Sequence, residues 1–175
     1  MGKGIDGFRT RTVRNRKDLS GTEFRELQWL YSAYCDGLRG INGGPLPGDD
    51  RISDFAIVEH YLSGRRFVWR LVMDGDRFIG FLLTCRSKDL ADVGAGFEIT
   101  ESFVLPQYRR RGIMTKLVTD IVSKEEGRCL MLVLKRNLYA FSFWQHLFRN
   151  AGWHAYCFPR PKDLDGDILL LGWER

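Results

Sequence analysis

One glutamate and a run of arginines are the side chains that could do chemistry in this chain. Glu98 lies in a segment rich in β-branched and aromatic residues, Phe97–Val104, and three consecutive arginines occupy positions 109–111 just before Gly112. A carboxylate can accept a proton from an amine, and guanidinium groups bind phosphate. The residue types therefore predict a proton acceptor and an anion-binding turn along one stretch of chain.

Three elements must position these groups: a strand, a short basic turn and a helix. The strand ends at Pro106, which cannot donate to a strand ladder. The first turn of a helix that begins near Gly112 has unpaired amide groups and the positive end of the helix macrodipole, so it binds phosphate well. From Gly112 onward the apolar residues recur at helical spacing, at Ile113, Leu117, Val118, Ile121 and Val122.

The turn resembles a known cofactor loop. Arg109-x-x-Gly112-x-Met114, preceded by Val-x-Pro-x-Tyr, is similar to the acetyl-CoA pyrophosphate loop of the GNAT superfamily of N-acetyltransferases. The family motif has Gln or Arg, two residues, Gly, one residue and then Gly or Ala. Met114 stands where the family has a small residue, which lets a phosphate approach the backbone closely. The resemblance covers nearly the whole chain in element order and is specific in its motifs from about Glu98 to Trp153.

The resemblance implies that acetyl-CoA binds at this turn without a metal. In the family, two neighbouring parallel strands splay apart, and the pantetheine arm of the cofactor pairs with the exposed edge of the first one. The end of that strand, the amides of the turn, the guanidinium groups and a threonine hydroxyl would hold the cofactor. The residues implied are Phe103, Val104, Arg109, Arg110, Arg111, Gly112, Ile113, Met114, Thr115, Asn137 and Phe143.

A second matching segment runs from Asn137 to Trp144 and continues at residues 152–153. It is similar to the family pattern Asn-x-x-Ala-x-x-Phe-Tyr followed by Gly-Phe, in which the asparagine contacts the pantetheine amide. The family's tyrosine, which in many members protonates the departing CoA thiolate, is replaced by Trp144, whose indole is only a hydrogen-bond donor. Either another acid (Tyr139, Cys157 or a bound water) protonates the thiolate, or the thiolate leaves unassisted, or the chain transfers no acetyl group.

Glu98 is the candidate that would remove the proton from an acceptor amine, which must be deprotonated to act as a nucleophile. The resemblance supports this role, because some family members place a general-base glutamate at this position. Alternation puts Glu98 on the same face as Thr100 and Ser102 and puts Glu101 on the opposite face, unless a β-bulge changes the parity. The catalytic candidates are therefore Glu98 and Tyr139. The alternative for Glu98 is a charged side chain solvated at the mouth of the cleft.

The rest of the chain supplies the element order of the GNAT fold. This order implies an α/β fold that forms one domain over residues 1–175. Its sheet is expected to be mixed and mostly antiparallel, with central parallel strands that splay apart, and about four helices are expected to flank it. The predicted segments are a strand at 8–14, helices from Ser20 or Thr22 and from Ser53 or Asp54, a hairpin at 67–73 and 78–85, strands at 97–104 and 129–134, helices from Gly112 and at 138–150, and strands at 153–158 and 167–173.

Residues 36–50 are rich in glycine and proline and predict a surface loop. In proteins that resemble this family, the connection between the first two helices lines the acceptor side of the cleft. The loop would then help to select the substrate, or it is an ordinary flexible connector. The sequence leaves both interpretations open.

Composition indicates a globular protein, since 44% of the 175 residues are hydrophobic, 28% are charged, and no apolar run is long enough to span a bilayer. The first residues lack the apolar core of a signal peptide, so we expect a cytoplasmic protein. The three histidines have no metal-ligand spacing, so we expect no structural metal. The four cysteines match no zinc or redox spacing and are expected to be buried and reduced: Cys35, Cys85, Cys129 and Cys157.

The net charge of +5 comes from residues 1–17, which hold six basic residues and one acidic residue. A basic strand here could face nucleic acid, or it could be a solvated edge strand whose charges discourage aggregation.

The expected function is transfer of an acetyl group from acetyl-CoA to a primary amine of a small molecule or peptide, by a monomer or homodimer without membrane contact. Two alternatives stay open: a GNAT-fold enzyme that modifies or is directed by nucleic acid, and a catalytically silent CoA-binding protein.

Overall fold

The computed structural model describes residues 7–46, 49, 53–86, 94–125, 127–158 and 165–175. These residues form one seven-stranded sheet flanked by four helices, with single 3₁₀ turns at Arg16–Asp18 and Pro106–Tyr108. Among them, no helix combines the length and apolar character that a bilayer crossing requires. The main elements are β1 (Arg9–Val13), α1 (Gly21–Asn42), α2 (Asp54–Ser63), β2 (Phe67–Asp74), β3 (Arg77–Cys85), β4 (Phe97–Val104), α3 (Ile113–Val122), β5 (Arg128–Leu134), α4 (Leu138–Asn150), β6 (His154–Ala155) and β7 (Ile168–Glu174).

The sheet is mixed and mostly antiparallel, with the strand order β1-β2-β3-β4-β5-β7-β6. Its parallel pair, β4 with β5, is in register only from Phe97 opposite Cys129 to Ile99 opposite Met131. Both strands continue beyond this point, so they splay apart. The predicted fold class, with splayed central parallel strands and about four flanking helices, is confirmed.

Aromatic side chains fill the core on both faces of the sheet. On one face, Tyr31 of α1 packs against Phe81 of β3 and Trp69 of β2, with ring centroids 5.9 and 6.2 Å away. On the other face, Phe148 of α4 stacks on Trp173 of β7 with the ring planes 8° apart. Large buried rings contribute strongly to the hydrophobic stabilisation of a core. Helices α1 and α4 therefore cover opposite faces of the sheet.

Helix α1 is longer than the sequence predicts. It begins after Ser20, whose hydroxyl accepts from the first turn as predicted, and it continues through Gly37 and Gly40 to Asn42. The predicted loop is therefore wrong over residues 36–42. Each interior glycine costs a helix about 0.5–1 kcal/mol relative to alanine. The helix ends at Gly43, which has a left-handed φ of 76°.

An arginine explains why the helix continues past its glycines. Arg39 pairs with Asp49 at 2.9 Å and with Asp54, the first residue of α2, at 2.7 Å. The guanidinium also contacts Asp36 on its own helix at 3.0 Å. These contacts join the last turns of α1 to the start of α2 and to one residue of the connection. Residues 47, 48 and 50 of the predicted loop lie outside the described residues.

The C-terminal strand pair is shorter on one side than predicted. Residues 153–158 contain only the two-residue β6, while β7 has seven residues. Beyond β6 the chain crosses β7 at Gly172, whose carbonyl accepts from the Tyr156 amide at 2.8 Å. A Cβ at Gly172 would lie 2.6 Å from the ring of Phe158, so this position requires glycine. Phe158 therefore lies directly against one face of β7.

Three of the four cysteines are buried, as predicted, but Cys157 is exposed, so the expectation of a buried thiol is wrong at that position. The reason is that Cys157 follows the short β6 and does not belong to a strand. Within the described ranges, no three His, Cys, Asp or Glu side chains are grouped so that they could hold a metal ion. Residues 87–93, between β3 and β4, lie outside the described residues.

Candidate active site

A β-bulge in β4 decides which face its acidic side chains occupy. Residues 83 and 84 of β3 pair with Glu101 and Ile99, so Thr100 is an extra residue between them. The extra residue shifts the alternation by one position, and Glu98 and Glu101 therefore lie on the same face. The simple alternation that puts Glu101 opposite Glu98 is wrong, and the bulge is the reason. This face is the one that α1 and α2 cover.

Three tyrosine hydroxyls hold Glu101. Tyr31 and Tyr61 donate to Oε1 with O···O distances of 3.4 and 3.3 Å, and Tyr34 donates to Oε2. Tyr31 and Tyr34 belong to α1 and Tyr61 belongs to α2. Burial raises the pKa of Glu101 to about 7, although the hydroxyl donors lower it. The carboxylate therefore joins both helices to the central strand.

Sequence reasoning alone misses this cluster. The spacing of Tyr31 and Tyr34 on α1 predicts core packing, which the structure confirms, but it gives no reason to expect a buried carboxylate beside them. The available signal is an acidic residue on a central strand together with tyrosines on two helices that cover it. That signal becomes decisive only when the bulge at Thr100 is known.

Glu98 lies where the two parallel strands begin to separate. It pairs with Cys85 on β3 and with Leu130 on β5, and only one further residue of β4 still pairs with β5. Burial raises the pKa of the Glu98 carboxyl, and the positive charge of Arg66 lowers it by a smaller amount. A carboxylate in this place can accept a proton from a group that enters the opening between the strands.

The turn between β4 and α3 presents unpaired amide groups. Gly112, with φ 70°, precedes the helix, and Arg110 also has a left-handed backbone with φ 60°. No described side chain caps this helix, and the amide of Lys116 is the one that donates to the Gly112 carbonyl, at 2.9 Å. The amides of residues 113–115 therefore point out of the helix end, together with the positive end of its macrodipole. Such a turn can bind a phosphate group.

Two of the three arginines in the turn contact their own segment. Arg109 Nε donates to the Val104 carbonyl at 3.0 Å, and its guanidinium lies 5.7 Å from the centre of the Phe103 ring. The Arg111 guanidinium lies 5.3 Å from the centre of the Tyr108 ring. These contacts keep both positive charges beside the turn. The Val104 carbonyl, where the family resemblance implies a pantetheine contact, already accepts a hydrogen bond from Arg109 in this structure.

The residues that open α3 divide between the core and the surface. Ile113 is buried, and the side chain of Met114 is half-buried and packs against the core. Thr115 is exposed on the first turn. Met114 is larger than the glycine or alanine that the family has at this position. Because its side chain points toward the core, it does not cover the backbone amides of the turn.

The second predicted segment lies at the start of α4. Asn137 caps this helix, its Oδ1 accepting from the Ala140 amide at 3.1 Å, so its Nδ2 group is the part that could donate to a ligand. Phe143 is half-buried and packs on Trp144, with ring centroids 4.9 Å apart. Trp144 is only 5% exposed, whereas Tyr139 is 89% exposed. The structure thus separates Tyr139 from the buried aromatic residues of this helix.

Comparison with known proteins identifies this arrangement of splayed strands, turn and helix. The model of the acetyltransferase (GNAT) family matches residues 26–148 of the chain. The chain belongs to the GNAT acetyltransferase family. The match begins in α1 and ends in α4, so it includes the bulged strand β4, the turn before α3 and the parallel neighbour β5. The family resemblance predicted from Arg109 to Met114 and from the segment after Asn137 is therefore confirmed.

Solved structures agree with the GNAT fold at low sequence identity. An acetyltransferase from Thermus thermophilus is 13% identical, with 94% of each chain covered and a TM-score of 0.62. The PaiA N-acetyltransferase from Thermoplasma acidophilum, solved with coenzyme A, is 16% identical over 94% of this chain and 98% of its own, with a TM-score of 0.58. The diaminobutyrate acetyltransferase EctA from Paenibacillus lautus, solved with its substrate and coenzyme A, is 12% identical over 96% of both chains, with a TM-score of 0.58. A sequence search of curated proteins finds no match.

The basic N-terminal strand of this GNAT chain is the edge strand β1 of the sheet. Arg9 pairs with Asp76 at 3.0 Å, and Arg11 pairs with Glu23. The Arg16 guanidinium lies 4.2 Å from the centre of the Phe24 ring. These three arginines therefore have protein partners, as expected of a structural edge strand. The contact with nucleic acid stays a prediction.

Proposed function

We propose that this GNAT chain is an acetyl-CoA-dependent N-acetyltransferase that moves the acetyl group to a primary amine. The observation that carries the proposal is the position of Glu98. This carboxylate lies at the point where β4 and β5 separate, on the strand that leads directly to the turn with open amides before α3. A cofactor that lies along the opening, with its phosphates at the turn, would bring its thioester toward this carboxylate.

The cofactor would be held mainly by backbone groups. Its pyrophosphate would accept hydrogen bonds from the amides of residues 110–115, with the guanidinium groups and the Thr115 hydroxyl beside it. Its pantetheine arm would pair with β4 at Phe103 and Val104, so Arg109 would have to release the Val104 carbonyl if that oxygen is to accept from the arm. Asn137 Nδ2 would donate to the arm, and Phe143 would pack beside it.

Glu98 would act as the general base of the transfer. The acceptor ammonium gives a proton to Glu98, and the amine nitrogen forms a bond to the acetyl carbonyl carbon. The carbon–sulfur bond of the thioester then breaks, and the nitrogen loses its second proton to solvent. Glu101 is less suited to this step, because both of its oxygens already accept tyrosine hydroxyls. Within the described residues, the Glu98 carboxylate has no such donors.

The departing thiolate needs a proton or leaves as an anion. Tyr139 is the predicted acid, and its exposure of 89% means that it reaches the thiolate only if the bound cofactor passes over the start of α4. Replacing Tyr139 with Phe should lower kcat by about 10²–10⁴-fold if the hydroxyl is the acid. An unchanged kcat would assign the proton to Cys157, to a bound water or to no group at all.

Calorimetry with acetyl-CoA tests the cofactor part of the proposal. The wild type should bind, and Gly112→Asp should not, because it adds a negative charge and strains a left-handed residue in the turn. Gly75→Asp is the matched control, since Gly75 also has a positive φ, 58°, but lies in the turn between β2 and β3. A wild type without affinity for acetyl-CoA would overturn the proposal.

One observation favours a second candidate, a CoA-binding protein that transfers nothing. Trp144 occupies the place of the family's proton-donating tyrosine and is buried in the core. The two candidates differ in thiol release. An acetyltransferase releases free CoA when a panel of primary amines is added to the acetyl-CoA complex, whereas the silent protein binds acetyl-CoA and releases none.

A further inference from the structure

One half of the sheet face that carries Glu98 is lined with leucines. Because Glu98 pairs with Leu130 in the parallel register, alternate residues of β5 lie on the same face as this carboxylate. Their partners on β7 continue the surface, with Leu170 opposite Leu132 and Ile168 opposite Leu134. We call this surface, Leu130, Leu132, Leu134, Ile168 and Leu170, the leucine face.

Only part of the leucine face belongs to the main core, since Leu130 and Leu170 are half-buried and pack against it. The other residues of β5, Cys129, Met131 and Val133, are buried on the opposite side of the sheet, where α4 packs. Leu132 is 43% exposed, and neither it nor Leu134 packs against the buried core cluster. A strand that needed only one apolar face for stability would carry polar residues at these positions.

Helices α1 and α2 occupy the neighbouring half of the same face. Tyr31 of α1 packs against Phe81, Tyr34 packs against Phe103, and Tyr61 of α2 packs against Trp69. These helices therefore lie over β2, β3 and β4. The leucine face lies on β5 and β7, across the opening between β4 and β5. It therefore meets the rest of the site at Glu98.

Both ends of the leucine face have a boundary. At one end the ring of Phe158 lies on Gly172, the partner of Leu130 on β7. At the other end, two residues beyond Leu134, Arg136 Nη1 donates to the Asn42 carbonyl at 2.9 Å and joins this end of β5 to the end of α1. From Leu130 to Leu134 the strand rises about 13 Å. A bounded apolar surface of this length fits a small hydrocarbon group.

We propose that the leucine face receives the apolar part of the acceptor, so that the acceptor is a primary amine on an aliphatic or aromatic hydrocarbon group. Its ammonium group would lie at Glu98 and its hydrocarbon group on Leu132 and Leu170. This inference rests on the proposed N-acetyltransferase function. The Glu98 carboxylate at one end of the surface and the leucines along it are complementary to an amine with one charged end and one apolar end. A second ammonium group on the hydrocarbon would lose its water on the leucine face and find no charged partner there, so it should weaken binding.

Leucine-methyl NMR on the full chain, saturated with CoA, tests the proposal without requiring turnover. Hexylamine and 1,6-diaminohexane are the two probes, because they share a carbon chain and differ in the second ammonium group. We expect hexylamine to shift the methyl signals of Leu132 and Leu170 and to bind about tenfold or more tightly than the diamine, since each buried methylene is worth about fourfold in affinity. Leu132→Ser should weaken hexylamine about tenfold and leave the weak diamine affinity unchanged.

Leu169→Ser is the matched control. Leu169 lies on β7 beside Leu170 but pairs with Val133 and so faces the other side of the sheet. This variant should leave both affinities unchanged. Equal affinity for the two probes, or hexylamine binding that leaves Leu132 unshifted, would overturn the proposal.

Two further outcomes would assign the leucine face to another occupant. If the Leu132 methyls shift on addition of CoA alone and no longer respond to hexylamine, the cofactor covers the face. If sedimentation shows a dimer that Leu132→Ser converts to a monomer, a second copy covers it. If hexylamine binds as expected but no acetyl group is transferred, the proposed function fails and the assignment of the leucine face stands.

Discussion

Glu98 and Glu101 lie on the same face of β4 because Thr100 between them is the extra residue of a β-bulge. Their surroundings separate their roles. Both oxygens of Glu101 accept tyrosine hydroxyls from α1 and α2, whereas Glu98 lies at the point where β4 leaves β5. Glu101 therefore fixes the helices to the strand, and Glu98 is the carboxylate that an acceptor amine would meet.

Replacing Glu98 with Gln should lower kcat about 10²–10⁴-fold and leave acetyl-CoA affinity unchanged, because it removes a proton acceptor without touching the turn before α3. Thiol release measures turnover, and calorimetry measures affinity. The deficit should narrow as the pH approaches the pKa of the acceptor amine, since more of the amine is then already deprotonated. Glu59→Gln, on the exposed side of α2, is the control and should change neither quantity. If Glu98→Gln turns over like the wild type, another group is the base.

Glu101 should make stability fall as the pH rises. Burial raises the pKa of Glu101 from 4.5 to about 7, so the folded state binds more protons than the unfolded state between these values. Its stabilising contribution is complete below about pH 4.5 and is lost as the pH rises through about 7, a loss of up to about 3 kcal/mol. Urea unfolding across this range should show a steeper fall of stability in the wild type than in Glu101→Gln, which keeps the contribution of the raised Glu98 pKa.

Tyr34→Phe checks the cause of this pH dependence. The Tyr34 hydroxyl lowers the pKa of Glu101, so its removal should raise that pKa and move the loss of stability to higher pH. Tyr108→Phe is the control. It also removes a tyrosine hydroxyl that donates to a carboxylate, but that carboxylate is Asp74 at the end of β2 and not Glu101. An identical pH dependence in Tyr34→Phe and the wild type would mean that Glu101 does not titrate in this range.

Local signals in the sequence predict most of the fold. β-Branched and aromatic residues followed by Pro106 give the bounds of β4, Phe97–Val104, and the amphipathic pattern after Asn137 gives α4, Leu138–Asn150. The sequence leaves a bulge in β4 only as an alternative, because its position at Thr100 depends on how β3 pairs with β4 across more than a dozen residues. The tyrosine cluster around Glu101 depends on that bulge, so the sequence alone does not predict it. The turn before α3 was predictable because its motif is continuous in sequence.

The length of α1 shows the same limit. Gly37 and Gly40 predict a loop, and the contact that overrides them, Arg39 with Asp49 and Asp54, joins residues that are ten and fifteen positions apart. Gly37→Ala should therefore stabilise the protein by about 0.5–1 kcal/mol, because alanine favours the helix and a Cβ at this position meets nothing within 4 Å. Thermal unfolding measures the gain.

Gly80→Ala is the contrasting variant. A Cβ at Gly80 would lie 2.6 Å from the Phe103 carbonyl oxygen, so this change should destabilise the protein while Gly37→Ala stabilises it. A loss of stability in Gly37→Ala would mean that the helix does not extend through this position in solution.

Arg39→Ala should destabilise the protein by about 1–3 kcal/mol, because it leaves the half-buried carboxylates of Asp49 and Asp54 without their partner. Arg39→Lys should recover only part of the loss, since an ammonium group cannot make the bidentate contacts of a guanidinium. Arg9→Ala is the control. Its partner Asp76 is fully exposed, so the change should stay within about 0.5 kcal/mol in urea unfolding. A loss in Arg39→Ala no greater than that of Arg9→Ala would contradict the role of Arg39 in holding α1 to α2.

Arg110→Gly separates the backbone of the turn before α3 from its side chains. Arg110 has a φ of 60°, a conformation that costs a non-glycine residue about 1–2 kcal/mol and costs glycine almost nothing. The variant should gain about 0.5–1 kcal/mol of stability, after the larger entropy of glycine in the unfolded chain is subtracted.

The amides of the turn keep their orientation in Arg110→Gly, because glycine adopts the same φ. If these amides supply most of the phosphate binding, acetyl-CoA affinity measured by calorimetry should fall by less than tenfold. The reason is that one partly solvated guanidinium contributes only about 1 kcal/mol to the binding free energy. Arg111→Gly removes the same charge without relieving strain, and it should lose both affinity and stability. A loss of all cofactor affinity in Arg110→Gly would show instead that the guanidinium, and not the backbone, holds the phosphates.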